Sequence, residues 1–158
     1  MGVWKGGTEA LLCAAAAQNP RTRVYLADTF AGVVKASVDD PMYKGGEHAD
    51  TSEVEVLALL GKIQASNFRI LRGIFPDDLP PQEKIEQIKL CHIDVDTYGS
   101  AKDVLEYVWT RMVRGGVVVF DDYGFWGREG ITRYVNTLQI PDARVTHNLN
   151  GHAVVIKV

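Results

Sequence analysis

The segment Asp94-Val95-Asp96 and the pair Asp121-Asp122 carry the strongest chemical suggestion in the sequence. Each follows an apolar run, 88–93 and 117–120, that reads as a strand covered on both faces. Neighbouring strands of one sheet would bring these carboxylates to one place. Crowded carboxylates raise one another's pKa unless a cation neutralises them. A donor set made of oxygen suits Mg2+, Mn2+ or Ca2+ better than zinc. Acids at strand ends can also merely cap the next helix, where the N-terminal dipole favours them. Two acidic groups at corresponding strand ends tip the reading towards a metal.

Asp28 ends a third strand-like run, 23–27. An acid at that place in a nucleotide-binding α/β unit grips ribose hydroxyls. The glycine-rich segment 2–7, just before the first helical run, lets a ligand approach the backbone closely. Its glycines do not follow G-x-G-x-x-G, which argues against a dinucleotide site. Phe30 lies where a ring can pack on a base or fold into the core. His48, in a loop rich in Gly and Asp over 31–50, is either a base or a solvated loop histidine. His92 reads as a satisfied core histidine, and His147 and His152 are expected to lie away from the site. Tyr123 and Trp126 follow the acid pair, as acceptor-pocket walls or as core.

These residues need a scaffold. Helical periodicity predicts helices over 8–18, 51–65 and 131–138, with Thr8 and Thr51 as starts. Ser100 and Asp103 resemble a capping box for a further helix, which runs past Met112 and ends at Gly115-Gly116. Residues 68–71 read as a strand. Asn150-Gly151 between two alternating runs predicts a terminal hairpin. Strands alternating with helices imply an α/β fold with a mostly parallel sheet, and ligands bind at the carboxyl ends of its strands.

A chain of 158 residues suits a single domain, 1–158, and its 46% apolar and 23% charged residues are ordinary for a globular protein. The net charge of −3 gives no reason to expect nucleic acid or an anionic membrane as partner. No apolar stretch approaches the roughly 20 residues of a membrane span, and the start lacks the apolar core of a leader. Cys13 and Cys91 read as reduced, buried thiols, so a cytoplasmic location is expected.

Taken in order, five segments resemble the macrocin and mycinamicin O-methyltransferase family. They are Gly2-Val3-Trp4-Lys5-Gly6-Gly7, Ala27-Asp28-Thr29-Phe30-Ala31-Gly32, Leu71-Arg72-Gly73-Ile74-Phe75, His92-Ile93-Asp94-Val95-Asp96-Thr97-Tyr98 and Asp121-Asp122-Tyr123-Gly124. The resemblance covers nearly the whole chain. It implies a Rossmann-like class I methyltransferase sheet with a C-terminal antiparallel hairpin. The implied activity is transfer of a methyl group from S-adenosylmethionine to a sugar hydroxyl of a natural product. The resemblance further implies that Asp94, Asp121 and Asp122 hold Mg2+ and that Asp28 binds the cofactor's ribose. Gly2, Val3, Trp4 and Gly6 would lie near its methionine portion, Thr29, Phe30 and Phe75 would flank its adenosine, and Asp94 would face both metal and cofactor. Asp94 is then the first candidate base. The expected partner is a small hydroxyl-bearing acceptor, and the resemblance is compatible with a homo-oligomer.

The resemblance also predicts a first central strand directly before the glycine segment. Only Met1 precedes Gly2, so the expectation is a domain truncated at that strand. Three other readings remain at this level. A phosphatase of the D-x-D-x-T type would need Thr where Tyr98 stands. A glycosyltransferase using Asp94-Val95-Asp96 would leave Asp121-Asp122 idle. A truncated, degenerate methyltransferase-like module would fold without binding S-adenosylmethionine.

Overall fold

Gly6, in the left-handed region at φ 80°, caps the first helix, α1 (Gly7–Ala16), so Thr8 lies inside that helix rather than at its start. The computed structural model describes residues 1–158. Strand β1 (Val24–Asp28) follows, then a long loop that leads to helix α2 (Glu53–Lys62). Ser52 caps α2 by accepting a hydrogen bond from the Glu55 N–H. Next come β2 (Phe68–Arg72), β3 (Ile88–Ile93), α3 (Tyr98–Trp109), β4 (Met112–Phe120) and α4 (Glu129–Asn136). The chain closes with β5 (Ala143–His147) and β6 (Ala153–Lys157), the hairpin that Asn150-Gly151 announces.

Two expectations about the third helix are corrected. Its cap is Thr97, whose Oγ1 accepts from the Ser100 N–H, so Ser100 lies within the first turn. The helix stops at Trp109, and Gly115-Gly116 lie inside β4. Gly115 has φ 76°, and the register jumps there, from Ile88 opposite Met112 to Leu90 opposite Val117. The glycines therefore make a bulge in a strand rather than a helix stop.

The strands pair in two groups. β1 and β2 are parallel, while β3, β4, β6 and β5 form a mixed sheet in which β3 and β4 are parallel. Met1 and Gly2 lie between the groups and bond to both. The Met1 ammonium donates to the His92 carbonyl at 2.7 Å, and the Asp94 N–H donates to the Met1 carbonyl at 2.8 Å. The Gly2 N–H donates to the Ala27 carbonyl at 3.0 Å. Below this bridge the facing edges of β1 and β3 have no strand partner. Backbone groups alternate sides along a strand, so the N–H groups of Tyr25, Ala27, Leu90 and His92 point into the gap. Leu90 is 49% exposed, although its run reads as covered on both faces.

Two apolar clusters hold the layers together. The larger packs Val104, Leu105 and Val108 of α3 and Ile131 and Val135 of α4 against Ile93, Val118, Phe120 and Val155. The smaller packs Val56 and Leu60 of α2 with Cys13 of α1 against Leu26 of β1. The carboxyl ends of β1, β3 and β4 form an open side of the fold and border one cleft.

Candidate active site

Those three strand ends line one cleft of about 370 Å3, within the range of small-molecule sites. Met1 to Trp4 form one wall, Asp28 and Thr29 another, and Gly73 to Phe75 a third. Asp94, Asp96, Asp121 and Asp122 reach into it from the ends of β3 and β4. Both acidic groups and the glycine segment thus meet in one cavity. Gly6 and Phe30 lie off its wall: Gly6 abuts Val56, and Phe30 packs against the smaller core cluster.

Asp28 organises the glycine segment. Its Oδ2 accepts from the N–H groups of Val3 at 2.5 Å and Trp4 at 3.0 Å, and its Oδ1 accepts from Phe30 N–H at 2.7 Å. One carboxylate therefore fixes the chain on both sides of the cleft. Oδ1 retains acceptor capacity for a ligand hydroxyl. Gly2, at φ 78°, lies against Asp94 with no space for a side chain: an added Cβ would sit 1.6 Å from the Asp94 carbonyl oxygen.

The acids differ in their surroundings. Asp121 Oδ1 lies 3.0 Å from His152 Nε2, so His152 belongs to the site although the sequence places it away from there. Asp122 Oδ2 accepts from Arg128 Nε at 2.8 Å. Asp96 Oδ1 accepts from the Tyr43 hydroxyl and lies 3.6 Å from Arg128 Nε. The Arg128 guanidinium also stands 5.0 Å from the centre of the Tyr43 ring. Asp94 alone has no hydrogen-bond or ion-pair partner for its carboxylate. Burial pushes its pKa up to about 7, with Asp121, Asp96 and Asp122 adding to the rise. Asp122 is also raised, by burial first, with Arg128 pulling against it.

The donor chemistry fits a hard cation, since oxygen donors from three strand-end aspartates border one cavity. As they stand, however, no three His, Cys, Asp or Glu side chains converge closely enough to hold a metal ion. Asp121 is turned towards His152 and Asp122 towards Arg128.

The loop after β1 closes over this arrangement. Lys35 Nζ pairs with Asp77 at 2.7 Å and with Asp103. Thr97 Oγ1 donates to the Val34 carbonyl, and Asp40 accepts from the Tyr98 N–H. His48 lines the cleft between Trp4 and Tyr43, with ring centroids 6.3 Å from each. His92 is not the satisfied core histidine that its strand suggests: its Nδ1 is buried without a partner. His147 stays outside, exposed, beside Tyr123. Tyr123 packs on the main core and Trp126 is 84% exposed, so neither walls the cleft.

Sequence reasoning missed Tyr43, Arg128 and His152. Only the third had a local signal, a histidine opening a strand that lies beside the Asp121 strand.

The profile of a family described as macrocin O-methyltransferase (TylF) matches residues 1–151. Mycinamicin III 3''-O-methyltransferase of Micromonospora griseorubida is 31% identical over 166 residues, covering 95% of this chain and 64% of that protein. The tetracenomycin-C rhamnosyl 4'-O-methyltransferase of Streptomyces olivaceus is 31% identical over 135 residues, covering 77% of this chain and 51% of that protein. The chain thus spans half to two thirds of the length of these relatives. Among solved structures, the O-methyltransferase NovP aligns with TM-score 0.81 at 24% identity, over 99% of this chain and 69% of its own. CalS11, a calicheamicin methyltransferase, aligns with TM-score 0.75 at 21% identity, over 98% of this chain and 69% of its own. These likenesses show the class I methyltransferase fold.

Proposed function

The chain belongs to the macrocin O-methyltransferase family, and we propose that it transfers a methyl group from S-adenosylmethionine to a sugar hydroxyl of a small natural product. One observation carries this reading: the Asp28-anchored glycine segment and the unpartnered Asp94 face the same cleft. A cofactor on the glycine wall lies beside a carboxylate that has nothing else to bind. Family membership also displaces the phosphatase and glycosyltransferase readings.

S-adenosylmethionine, when bound, supplies an electrophilic methyl on its sulfonium. The Gly2 to Trp4 backbone, held by Asp28, positions it, with Thr29 and Phe75 on the adenosine side. Asp94 then takes the acceptor's hydroxyl proton as the oxygen forms its bond to the methyl carbon and the sulfur–methyl bond breaks. With no cation beside it, burial and the neighbouring acids raise its pKa to about 7, and a bound Mg2+ would lower that value. Mg2+, held by Asp94, Asp121 and Asp122, would polarise the acceptor hydroxyl. The loop pinned by Lys35 and Tyr43 covers the cleft and limits water. Much of the rate enhancement on this reading comes from positioning for in-line attack.

The domain is completed, on this reading, by one further parallel strand in the gap between β1 and β3. The four backbone N–H groups that face the gap without a strand partner support this. Both cysteines are free and buried, which supports work in the cytoplasm.

The test is transfer of labelled methyl from S-adenosylmethionine to a panel of deoxysugar-bearing polyketides. Label on a sugar oxygen, lost in Asp94→Asn, supports the reading. A folded chain that labels nothing and fails to bind the cofactor is instead a degenerate module.

A further inference from the structure

Arg128 is the cation closest to the acidic cluster, and the proposed activity has no use for it. It sits at the start of α4, with its Nε 2.8 Å from Asp122 and 3.6 Å from Asp96. Its side chain is 28% exposed, against 24% for Asp122 and 16% for Asp96, so the pair is only partly screened by water. Burial works against its charge, but Asp122, Tyr43 and Asp96 outweigh that and hold it protonated. The Tyr43 ring, from the loop over the cleft, gives the guanidinium a further contact.

Asp122 Oδ2, which accepts from Arg128, is one of the two oxygens through which Asp122 could ligate a hard cation. Two positive groups cannot share it at contact distance without strong repulsion. With Arg128 in place, Asp122 Oδ2 is occupied, in keeping with the absence of three converging donors.

We propose that Arg128 is a resident counter-ion of the acidic cluster, which a divalent cation must displace from Asp122 in order to bind. This rests on the reading of Asp94, Asp121 and Asp122 as cation ligands. Arg128 is thus a positioning residue that sets cation affinity. Removing its charge makes the site bind cations more tightly, an effect opposite to that of ordinary structural damage.

Mn2+ is the probe, because it favours the same oxygen donors and its free ion is counted directly by electron paramagnetic resonance. The full chain is titrated as wild type, Arg128→Gln, Arg128→Lys and Asp94→Asn, with folding checked by circular dichroism. Arg128→Gln is expected to bind Mn2+ about ten-fold more tightly than wild type, the scale of one charge-assisted contact. Arg128→Lys keeps the charge but loses the planar fork, so it gains less. Should Arg128→Gln fail to fold, the gain in Arg128→Lys decides. If wild type binds Mn2+, Asp94→Asn does not, and the Arg128 variants bind equally or more weakly, the counter-ion role is overturned while the metal reading stands. If neither wild type nor the Arg128 variants bind Mn2+, both fall.

Discussion

Gly2 and Asp94 are packed so closely that any side chain at position 2 would collide with the Asp94 carbonyl oxygen, 1.6 Å from an added Cβ. The contact ties the proposed cofactor wall to the proposed base, because Gly2 also bonds the end of β1 through Ala27. Gly2→Ala would have to move the backbone at Asp94 and adopt a φ of 78° that L residues rarely take. It is expected to lose about 2 kcal/mol or more of stability and to weaken S-adenosylhomocysteine binding. Chemical denaturation and a binding titration on one sample check both.

Asp94 is expected to oppose folding at neutral pH. Its folded pKa of about 7 lies above the ordinary 3.8, so the folded state holds the proton more tightly. Stability is therefore highest below the unfolded value, falls as pH rises through the window between the two, and is lowest above about 7. Asp94→Asn removes that penalty. In the presence of a chelator, its Tm is expected to exceed that of wild type near pH 8 and to match it near pH 4, while methyl transfer is lost. A pH-independent difference in Tm would contradict this.

Lys35 tethers the loop over the cleft to Asp77 and Asp103. Lys35→Ala cuts both ties at a cost of about 1 kcal/mol, the scale of a partly exposed ion pair. Limited proteolysis is expected to cut residues 36–50 faster in this variant than in wild type. An unchanged cutting rate would show that the remaining bonds, through Val34, Asp40 and Tyr43, hold the loop alone.

The gap between β1 and β3 has a signature in amide exchange. Tyr25, Ala27, Leu90 and His92 face it and are expected to exchange rapidly, while Leu26, Cys91 and Ile93, on the paired sides, are protected. A chain extended upstream of Met1 by a short β-branched strand is expected to protect the first group. Uniform protection along β1 without that addition would contradict the open edges.

Local chemistry made much of the fold legible. Apolar runs ending in Asp28, Asp94 and Asp121 located three strands and the cleft at their ends. Asn150-Gly151 located the hairpin, although its connection runs over 148–152 and only Gly151, at φ 79°, takes the left-handed conformation. The glycine pair at 115 and 116 misled because glycine serves a bulge as well as it stops a helix. Thr97 lost the cap assignment to Ser100 because both can accept from a first-turn N–H. At the site, residue types at strand ends pointed to the acids but not to their partners. Tyr43 meets Asp96 across 53 positions of chain, a contact that no local pattern encodes. Arg128 lies only six positions from Asp122 but in a turn that no motif announces, whereas His152 reaches Asp121 from just before β6, the next strand of the sheet.

The central claim is that this cleft binds S-adenosylmethionine through the segment that Asp28 anchors. Calorimetric titration with S-adenosylhomocysteine, on wild type and Asp28→Ala, tests it most directly. The account predicts saturable binding to wild type that Asp28→Ala abolishes or severely weakens. Absence of binding to folded wild type, or equal binding by both proteins, would contradict it.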